Sequence, residues 1–463
     1  MGGSAHSLLP FCARFVQICG FKVFFKAFLV LEIEVTLLIR FRVGNFRSFQ
    51  ESQELSLVAS TGKEHPESVI QIPGFQEGLL RVAAVYGPNA SGKSNLFRAL
   101  QFFLGAIEHS QRSWKPDGGV FSSPFLLNPD SSKVSEYQMD FLLESTRFQY
   151  GFSHDSSQIL REWLYSYPSG KRQMWFERDA TASGEIKFGK HFPGENRAIE
   201  GMTRKNSLFL SAAAQSNHES ILPLFTWLTS KIHFLFGSRT SISPDLGQEL
   251  AKSNLHSRIS QLLSQADLGI VGMTVETENV DEKFAEIIDD MIRRINELSS
   301  SSAEFHSPRE VHRVKLQHRG KNDFQIAFQN QDESAGTLAL LSLLVPALDA
   351  IDSGGVLCVD ELDSSLHPLL ALEIVKLFIS GFKTEECRAQ LIFNTHDVNL
   401  LDSSILRRDQ VWFTEKDNEG GTHLYSLSDF RPRKKENLKR GYLQGRYGAV
   451  PYLGSIQFTK PGE

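Results

Sequence analysis

The hydrophobic residues of this chain follow three kinds of spacing, and each kind predicts a different element. Apolar and polar residues alternate through Leu38–Val43 and Glu54–Val58, which is the pattern of half-buried β-strands. Four more alternating runs, separated by turn residues, predict an antiparallel sheet. These runs are Tyr137–Leu143, Phe148–Phe152, Leu160–Tyr167 and Gln173–Glu177. Val311–Gln317 and Phe324–Phe328 predict a further pair of strands.

The other two spacings predict buried parallel strands and helices. Uninterrupted apolar runs at Arg81–Val85, Gly354–Val359 and Gln390–Phe393 are typical of strands covered on both faces. Apolar residues recur at helical spacing after the first of these runs and through much of 205–300. The predicted fold class is therefore α/β, with a mostly parallel core sheet, a flanking antiparallel β subdomain and a helical insertion.

Changes in these patterns divide the chain into five predicted segments. They are an N-terminal extension (1–36), a first lobe (37–204), a helical insertion (205–305), a second lobe (306–430) and a basic tail (431–463). The extension is rich in apolar residues, yet five charged side chains interrupt it, so no membrane span is predicted there. These are Arg14, Lys22, Lys26, Glu32 and Glu34. A start codon assigned too far upstream is a second explanation for the segment.

Composition is ordinary for a globular protein. The net charge is −5, so no overall positive field predicts nucleic-acid binding. The four cysteines show no spacing typical of a zinc site, and we expect a reducing, cytoplasmic location. The basic tail includes Tyr442 and Tyr447, which leaves two readings open. It either contacts nucleic acid or forms a solvated or internally paired surface.

A glycine-rich loop stands between the predicted strand at Arg81–Val85 and a predicted helix. Its residues, Gly87-Pro88-Asn89-Ala90-Ser91-Gly92-Lys93-Ser94, have the form G-x-x-x-x-G-K-S. The glycines let backbone N–H groups point at an anion, and Lys93 is expected to reach the β- and γ-phosphates of a nucleotide. The Ser94 hydroxyl is expected to bind Mg²⁺. A chance glycine turn is the alternative, and the strand and helix on either side argue against it.

Two later strands end in residues that fit the same site. Gly354–Val359 is followed by Asp360, positioned to hold Mg²⁺, and by Glu361, positioned to accept a proton from the attacking water. The strand at Gln390–Phe393 is followed by His396, which is expected to hydrogen-bond the γ-phosphate. In a parallel sheet these carboxyl ends share one edge, where ligands bind. Solvated acids and an incidental histidine are the alternatives.

A third motif, at the start of a predicted helix, is weaker evidence for a nucleotide site when it is taken alone. Ser334-Ala335-Gly336-Thr337 opens an apolar helical run. Small hydroxyl and glycine residues at a helix start form an anion site, although the same residues also make an ordinary helix cap. The expected nucleotide-binding residues of the phosphate loop are Gly87, Asn89, Gly92, Lys93 and Ser94, whereas the helix start leaves both roles open for Ser334 and Gly336.

The order of these motifs resembles the ABC-type ATPase heads of the SMC, RecF and OLD (overcoming lysogenisation defect) clade. The matching stretches are the phosphate loop, S-A-G-T, L-C-V-D-E-L-D-S-S-L-H-P and N-T-H-D. Three further stretches are similar to the stand-alone AbiL/RloA-like ATPases of bacteria: R-F-R-V-G-N-F-R-S-F, R-D-Q-V-W-F-T-E-K and G-Y-L-Q-G-R-Y-G-A-V-P. The signature differs from the transporter form L-S-G-G-Q, and no glutamine loop is evident between residues 100 and 160.

The resemblance implies an ABC-type head that dimerises around ATP and Mg²⁺. One head would supply Lys93, Ser94, Asp360, Glu361 and His396, and a second head would supply Ser334 and Gly336. The expected function is an ATP-hydrolysing switch in bacterial anti-phage defence, working with a separately encoded effector nuclease and without a membrane. The alternative is a RecF-like DNA-repair ATPase stimulated by DNA. A non-catalytic scaffold gated by ATP is a third possibility that the acid pair and His396 argue against.

Overall fold

The computed structural model describes residues 36–450 with nine short gaps, at 63, 131, 183, 238–243, 253–254, 267–268, 299–309, 381–387 and 434–435. The predicted extension 1–36 thus lies outside the described residues except for Thr36, and so do parts of the predicted tail. The first ten strands are β1 (Thr36–Gly44), β2 (Gln53–Ser56), β3 (Val69–Ile70), β4 (Leu79–Leu80), β5 (Val82–Tyr86), β6 (Ser135–Leu143), β7 (Thr146–His154), β8 (Ile159–Tyr167), β9 (Gln173–Asp179) and β10 (Ile186–Phe188).

The later strands are β11 (Ile232–Leu235), β12 (Ile270–Asn279), β13 (Glu310–Arg319), β14 (Gln325–Phe328), β15 (Val356–Val359), β16 (Gln390–Asn394), β17 (Val411–Lys416) and β18 (Thr422–Ser426). The helices are α1 (Lys93–His109), α2 (Asn196–Met202), α3 (Phe209–Gln215), α4 (Leu222–Ser230), α5 (Pro244–Lys252), α6 (Leu255–Gln265), α7 (Glu282–Leu298), α8 (Ala335–Ser353), α9 (Pro368–Ser380) and α10 (Leu438–Leu443). Each predicted strand run therefore corresponds to a strand of the structure.

The core sheet has the order β11-β15-β16-β5-β17-β18, and only β18 is antiparallel to its neighbour. Every residue of β5, β15 and β16 is buried, as uninterrupted apolar runs require of strands with both faces covered. Because these strands are parallel, the segments that follow β15, β16, β5 and β17 all emerge at the same carboxyl edge. This confirms the predicted α/β class with a mostly parallel core.

A seven-stranded antiparallel sheet of order β10-β9-β8-β7-β6-β1-β2 flanks this core. Helix α1 packs between the two sheets, and its Phe97, Leu100 and Phe103 belong to the same hydrophobic cluster as strand residues of both. Phe103 stacks on Phe152 of β7 with ring centroids 5.5 Å apart. The aromatic content of the chain is thus used in packing, which fixes the start of α1 relative to β1 and β2.

The segment 205–305 differs from the helical prediction because it also contains strands. Strand β11 joins the core sheet beside β15, and β12 is an edge strand of a separate three-stranded sheet of order β12-β13-β14. One face of β12 and β13 buries Met273 and Leu316, whereas the other carries ion pairs such as Lys315 with Glu276. No strand was predicted for β12, because the charged side chains on its outer face obscure the alternation of apolar residues.

The basic tail is held against the core by its tyrosines. Tyr447 is fully buried and its hydroxyl donates to Glu436 over 2.6 Å, while Tyr442 stacks on Phe413 at 5.5 Å. Arg446 also pairs with Glu436 over 2.5 Å. Buried rings are unavailable for stacking on nucleic-acid bases. Tyr442 and Tyr447 are therefore internally packed, as one of the two interpretations expects, and nucleic-acid contact by the basic tail stays a prediction.

By length and apolar composition, α8 alone among the described helices could cross a bilayer. Most of its side chains are instead buried in the protein, including the run from Thr337 to Val345. Helices that are apolar on all sides occur in the cores of large domains as well as in membranes. Helix α8 is thus a core helix here, and Ser334, its N-cap, and Ala335 are exposed at its start.

Candidate nucleotide site

The glycine-rich loop joins β5 to α1 as the sequence predicts, and the tertiary structure shows why it needs two glycines. Gly92 has φ 109°, and a Cβ there would lie 2.4 Å from Thr422 Oγ1 and 2.8 Å from Ser48 Oγ. A Cβ on Gly87 would lie 2.5 Å from the carbonyl oxygen of Thr414. These are distances that real Cβ atoms do not adopt, so both positions exclude larger residues.

Strands β17 and β18 hold the loop from one side. Ser91 Oγ and Thr414 Oγ1 are 2.6 Å apart, and Thr422 Oγ1 donates to the carbonyl oxygen of Ser91 over 2.8 Å. The backbone N–H of Thr422 donates to the carbonyl oxygen of Ser48 over 2.7 Å. Sequence reasoning missed these supports, because Thr414 and Thr422 lie more than 300 residues from the loop and no motif marks them.

The Lys93 ammonium lies within the loop. It donates to the carbonyl oxygens of Gly87 at 2.7 Å and Pro88 at 3.0 Å. Burial lowers the pKa of Lys93 to about 8, while the carboxylates of Glu361, Asp360 and Asp363 act in the opposite direction. A buried cation with few anionic contacts favours the binding of an anion, because the anion restores part of the favourable electrostatic energy that the cation lost on leaving water.

The oxygens expected to hold Mg²⁺ meet as predicted. Ser94 Oγ donates to Asp360 Oδ1 over 2.9 Å, and the Asp360 side chain is buried. Among the described residues, no group of three or more His, Cys, Asp or Glu side chains is placed to hold a metal ion. A hydroxyl and one carboxylate nevertheless fit Mg²⁺, which keeps several waters and takes further ligands from phosphates. The donor set therefore suits a magnesium–nucleotide complex and does not suit a metal held by protein alone.

Asn394 organises the two acids, a role that the sequence did not reveal. Its Nδ2 donates to Asp360 Oδ1, and its Oδ1 accepts from the backbone N–H of Glu361 over 2.8 Å. Glu361 adopts φ 56°, a left-handed conformation that is unfavourable for a residue with a side chain. The Asn394 contact holds that conformation, which directs the chain away from β15 just after Asp360. The sequence feature that could have revealed this role of Asn394 is its position at the end of the strand β16.

His396 lies on the same edge, one strand closer to the loop. Its backbone N–H lies 3.3 Å from Asp363 Oδ1, which also accepts from the Thr395 hydroxyl over 2.6 Å. Partial burial lowers the pKa of the His396 ring, as does the Lys93 ammonium, and the nearby Asp363 and Glu361 carboxylates oppose them. The ring is therefore neutral at pH 7 and can donate one N–H to an anion.

These residues surround one cleft of about 330 Å³. It is lined by Ser48, Asn89, Ala90, Ser91, Gly92, Lys93, Ser94, Asn95, Arg98, Glu361, His396 and Lys416. Ser334 and Gly336 are not among the lining residues; Ser334 caps α8, where its Oγ accepts from the Thr337 N–H over 3.1 Å, and Gly336 lies in the first turn. The structure therefore brings together the expected residues of one head and leaves the two expected from a second head elsewhere.

The titration of Lys93 predicts a pH dependence of nucleotide affinity. Bound phosphates raise the pKa of Lys93 above the value of about 8 in the free protein, so binding takes up a proton at alkaline pH. We expect ATP affinity to fall as pH rises above 8, by up to about tenfold per unit. Calorimetric titrations between about pH 7.5 and pH 9.5 avoid the titration of ATP itself. An affinity that stays constant across this range would contradict the expected charge of Lys93.

Comparisons with known proteins agree with the geometry of this edge. Residues 82–402, more than half of the chain, match the family model described as "AAA domain, putative AbiEii toxin, Type IV TA system". No curated protein matches the chain in sequence. Similar solved structures include the SMC head domain from Thermotoga maritima, at 14% identity and a TM-score of 0.39, covering 84% of this chain and 98% of that one.

A second solved structure, an SmcHead bound to the C-winged helix domain of ScpA, has 13% identity and a TM-score of 0.42, covering 85% of this chain and 99% of that one. Similarities at this level carry no argument about function. The parallel sheet, the phosphate loop and the family match agree on an α/β P-loop domain of the AAA type with a flanking antiparallel subdomain. The chain belongs to the AAA-domain family described as the AbiEii type.

Proposed function

We propose that this protein binds and hydrolyses ATP and that hydrolysis switches it between two states. The observation that carries the proposal is the single cleft in which Lys93, Glu361 and His396 meet, beside the linked pair of Ser94 and Asp360. Each group lies at the carboxyl edge of the same parallel sheet, where nucleotides bind in α/β folds.

The residues divide the chemistry among them. Lys93 and the loop N–H groups bind the phosphates, and the neutral His396 ring donates to the γ-phosphate. Glu361 accepts the proton of the attacking water, because its carboxylate reaches the cleft while Asp360 stays buried beneath it. Ser94 and Asp360 would hold Mg²⁺, which would supply positive charge to offset that of the nucleotide phosphates. Asn394 keeps the two acids in their separate roles through its contacts with both.

We infer further that the site is completed by a second copy of the chain. Ser334 and Ala335 are exposed at the start of α8, a 19-residue helix whose N-terminal end carries partial positive charge. Glu333 is fixed beside them, because its carboxylate accepts from His318 Nε2 over 2.7 Å and is almost fully buried. An ordered, exposed helix start outside the cleft suits contact with the γ-phosphate held by another head.

Nucleotide-dependent association tests this proposal. In sedimentation velocity, we expect the Glu361→Gln variant to form a dimer with ATP and Mg²⁺ and to remain a monomer with ADP. Ser334→Arg in the same background should keep ATP binding and lose the dimer, because the added side chain blocks the exposed start of α8. Ser380→Arg, at the exposed end of α9, serves as the matched control. A Glu361→Gln variant that stays monomeric at saturating ATP would overturn the composite site.

The wider role that we propose is a cytoplasmic switch of bacterial anti-phage defence, kin to AbiL/RloA-like ATPases, that acts on a separately encoded effector nuclease. The toxin–antitoxin description of the family supports a role in defence. A DNA-stimulated ATPase of RecF type is the alternative, and the burial of Tyr442 and Tyr447 removes its main support in this chain. Strong stimulation of ATP hydrolysis by double-stranded DNA would favour that alternative.

A further inference from the structure

Lys416 lines the nucleotide cleft but belongs neither to the phosphate loop nor to the strand ends that carry the acids and His396. We propose that Lys416 binds the phosphate chain from the side opposite His396 and contributes equally to the affinity for ATP and for ADP. The proposal rests on the proposed function, since it assumes that a nucleotide occupies the cleft.

The order of the sheet places Lys416 on that side. Strand β5, which leads into the phosphate loop, lies between β16 and β17. Glu361 and His396 follow β15 and β16 on one side of β5, whereas Lys416 ends β17 on the other. All of these strands run parallel, so their ends surround the loop at one edge. Lys416 and His396 therefore flank the loop from opposite sides.

The alternation of β17 directs Lys416 toward the loop. Residues two apart in a strand share one face. Thr414, two residues earlier, contacts the loop directly through Ser91 Oγ. Glu415 lies on the other face, where its carboxylate accepts from the Tyr425 hydroxyl over 2.9 Å. Lys416 thus shares the face that touches the loop, and the neighbouring acid points away from it.

The charge of Lys416 is available for an anion. Across the described parts of the chain, no acidic side chain forms an ion pair with Lys416. The next residue, Asp417, is occupied within its own turn by the N–H of Gly421 and by His423. Lys416 is backbone-paired with Thr422, whose hydroxyl supports the loop, so its position relative to the loop is fixed. An unpaired cation at a fixed place beside a phosphate loop favours a phosphate oxygen as its partner.

The position of Lys416 also predicts whether its loss changes nucleotide affinity or the rate of hydrolysis. The groups assigned to γ-phosphate chemistry, Glu361 and His396, lie on the far side of the loop. We expect Lys416, on the other side of the loop, to contact phosphates that ATP and ADP share, and such uniform binding changes affinity without changing the chemical step. Lys93 differs, because it is expected to contact the γ-phosphate that ADP lacks.

The test compares Lys416→Ala with the wild-type protein by calorimetric titration of Mg·ADP and, in the Glu361→Gln background, of Mg·ATP. We expect both dissociation constants to rise by the same factor, about tenfold. In turnover assays KM should rise by a similar factor while kcat stays within about twofold. Lys416→Arg should restore much of the affinity, and Lys376→Ala, on the exposed face of α9, should behave as wild type.

Each outcome decides the proposal. Unchanged dissociation constants would overturn it, and so would a loss restricted to ATP or to kcat, which would place Lys416 among the γ-phosphate groups. A chain that binds neither nucleotide, with Lys93→Ala indistinguishable from wild type, would instead contradict the proposed function itself. A thermal melt of each variant ensures that lost affinity is not lost folding.

Discussion

Glu361→Gln is expected to abolish most ATP hydrolysis while leaving ATP bound. The substitution keeps the size of the side chain and removes its ability to accept a proton, and a positioned general base contributes about 10²–10⁴-fold to such rates. The local backbone should survive, because Asn394 accepts from the N–H of residue 361 and not from its side chain. Single-turnover hydrolysis and a nucleotide-binding titration on the same sample measure the two effects separately.

Glu373→Gln is the matched control for this experiment. Glu373 is an exposed glutamate of α9 that pairs with Lys376 at 2.8 Å and lies outside the cleft. Its variant should hydrolyse ATP at the wild-type rate. Hydrolysis by Glu361→Gln within about threefold of wild type would exclude Glu361 as the base, since general-base catalysis requires a larger loss. The proton would then have to leave through another group of the cleft.

Lys93→Ala is expected to remove both affinity and turnover. The ammonium lies inside the loop, and charge-assisted contacts to two phosphates are worth about 100-fold or more in affinity. The same change should not destabilise the nucleotide-free protein. Burial lowers the pKa of Lys93 to about 8, which shows that the free protein holds the charged form at a cost. We therefore expect the melting temperature to be unchanged or higher.

A loss of nucleotide affinity without a loss of thermal stability distinguishes a lost ligand contact from a damaged fold. Thermal melts with and without Mg·ATP measure it, because a ligand stabilises only the protein that binds it. Wild type should melt at a higher temperature with nucleotide, and Lys93→Ala should show no such increase. A variant that still gains stability from ATP, or that melts well below wild type without it, would contradict the role assigned to Lys93.

Much of this fold follows from local sequence. The uninterrupted apolar runs of β5, β15 and β16 and the alternating runs of β6 to β9 were predictable, because burial on two faces or on one leaves a direct pattern in the chain. Strand β12 was not, since its outer face carries Glu276 and Glu278 and ion-pairs with β13. The role of the tail tyrosines was equally ambiguous, because the sequence does not show whether the rings of a basic segment face the core or the solvent.

The sequence by itself determined which residues of the candidate site follow strand ends: Lys93, Ser94, Asp360, Glu361 and His396 come in the order that a parallel sheet brings together. The tertiary structure alone decided what holds and completes that site. Asn394 joins the two acids, Thr414 and Thr422 explain the two glycines, and Lys416 lines the cleft from the end of β17, opposite His396. The physical reason is that strand ends carry local patterns, whereas side chains that meet across strands carry none.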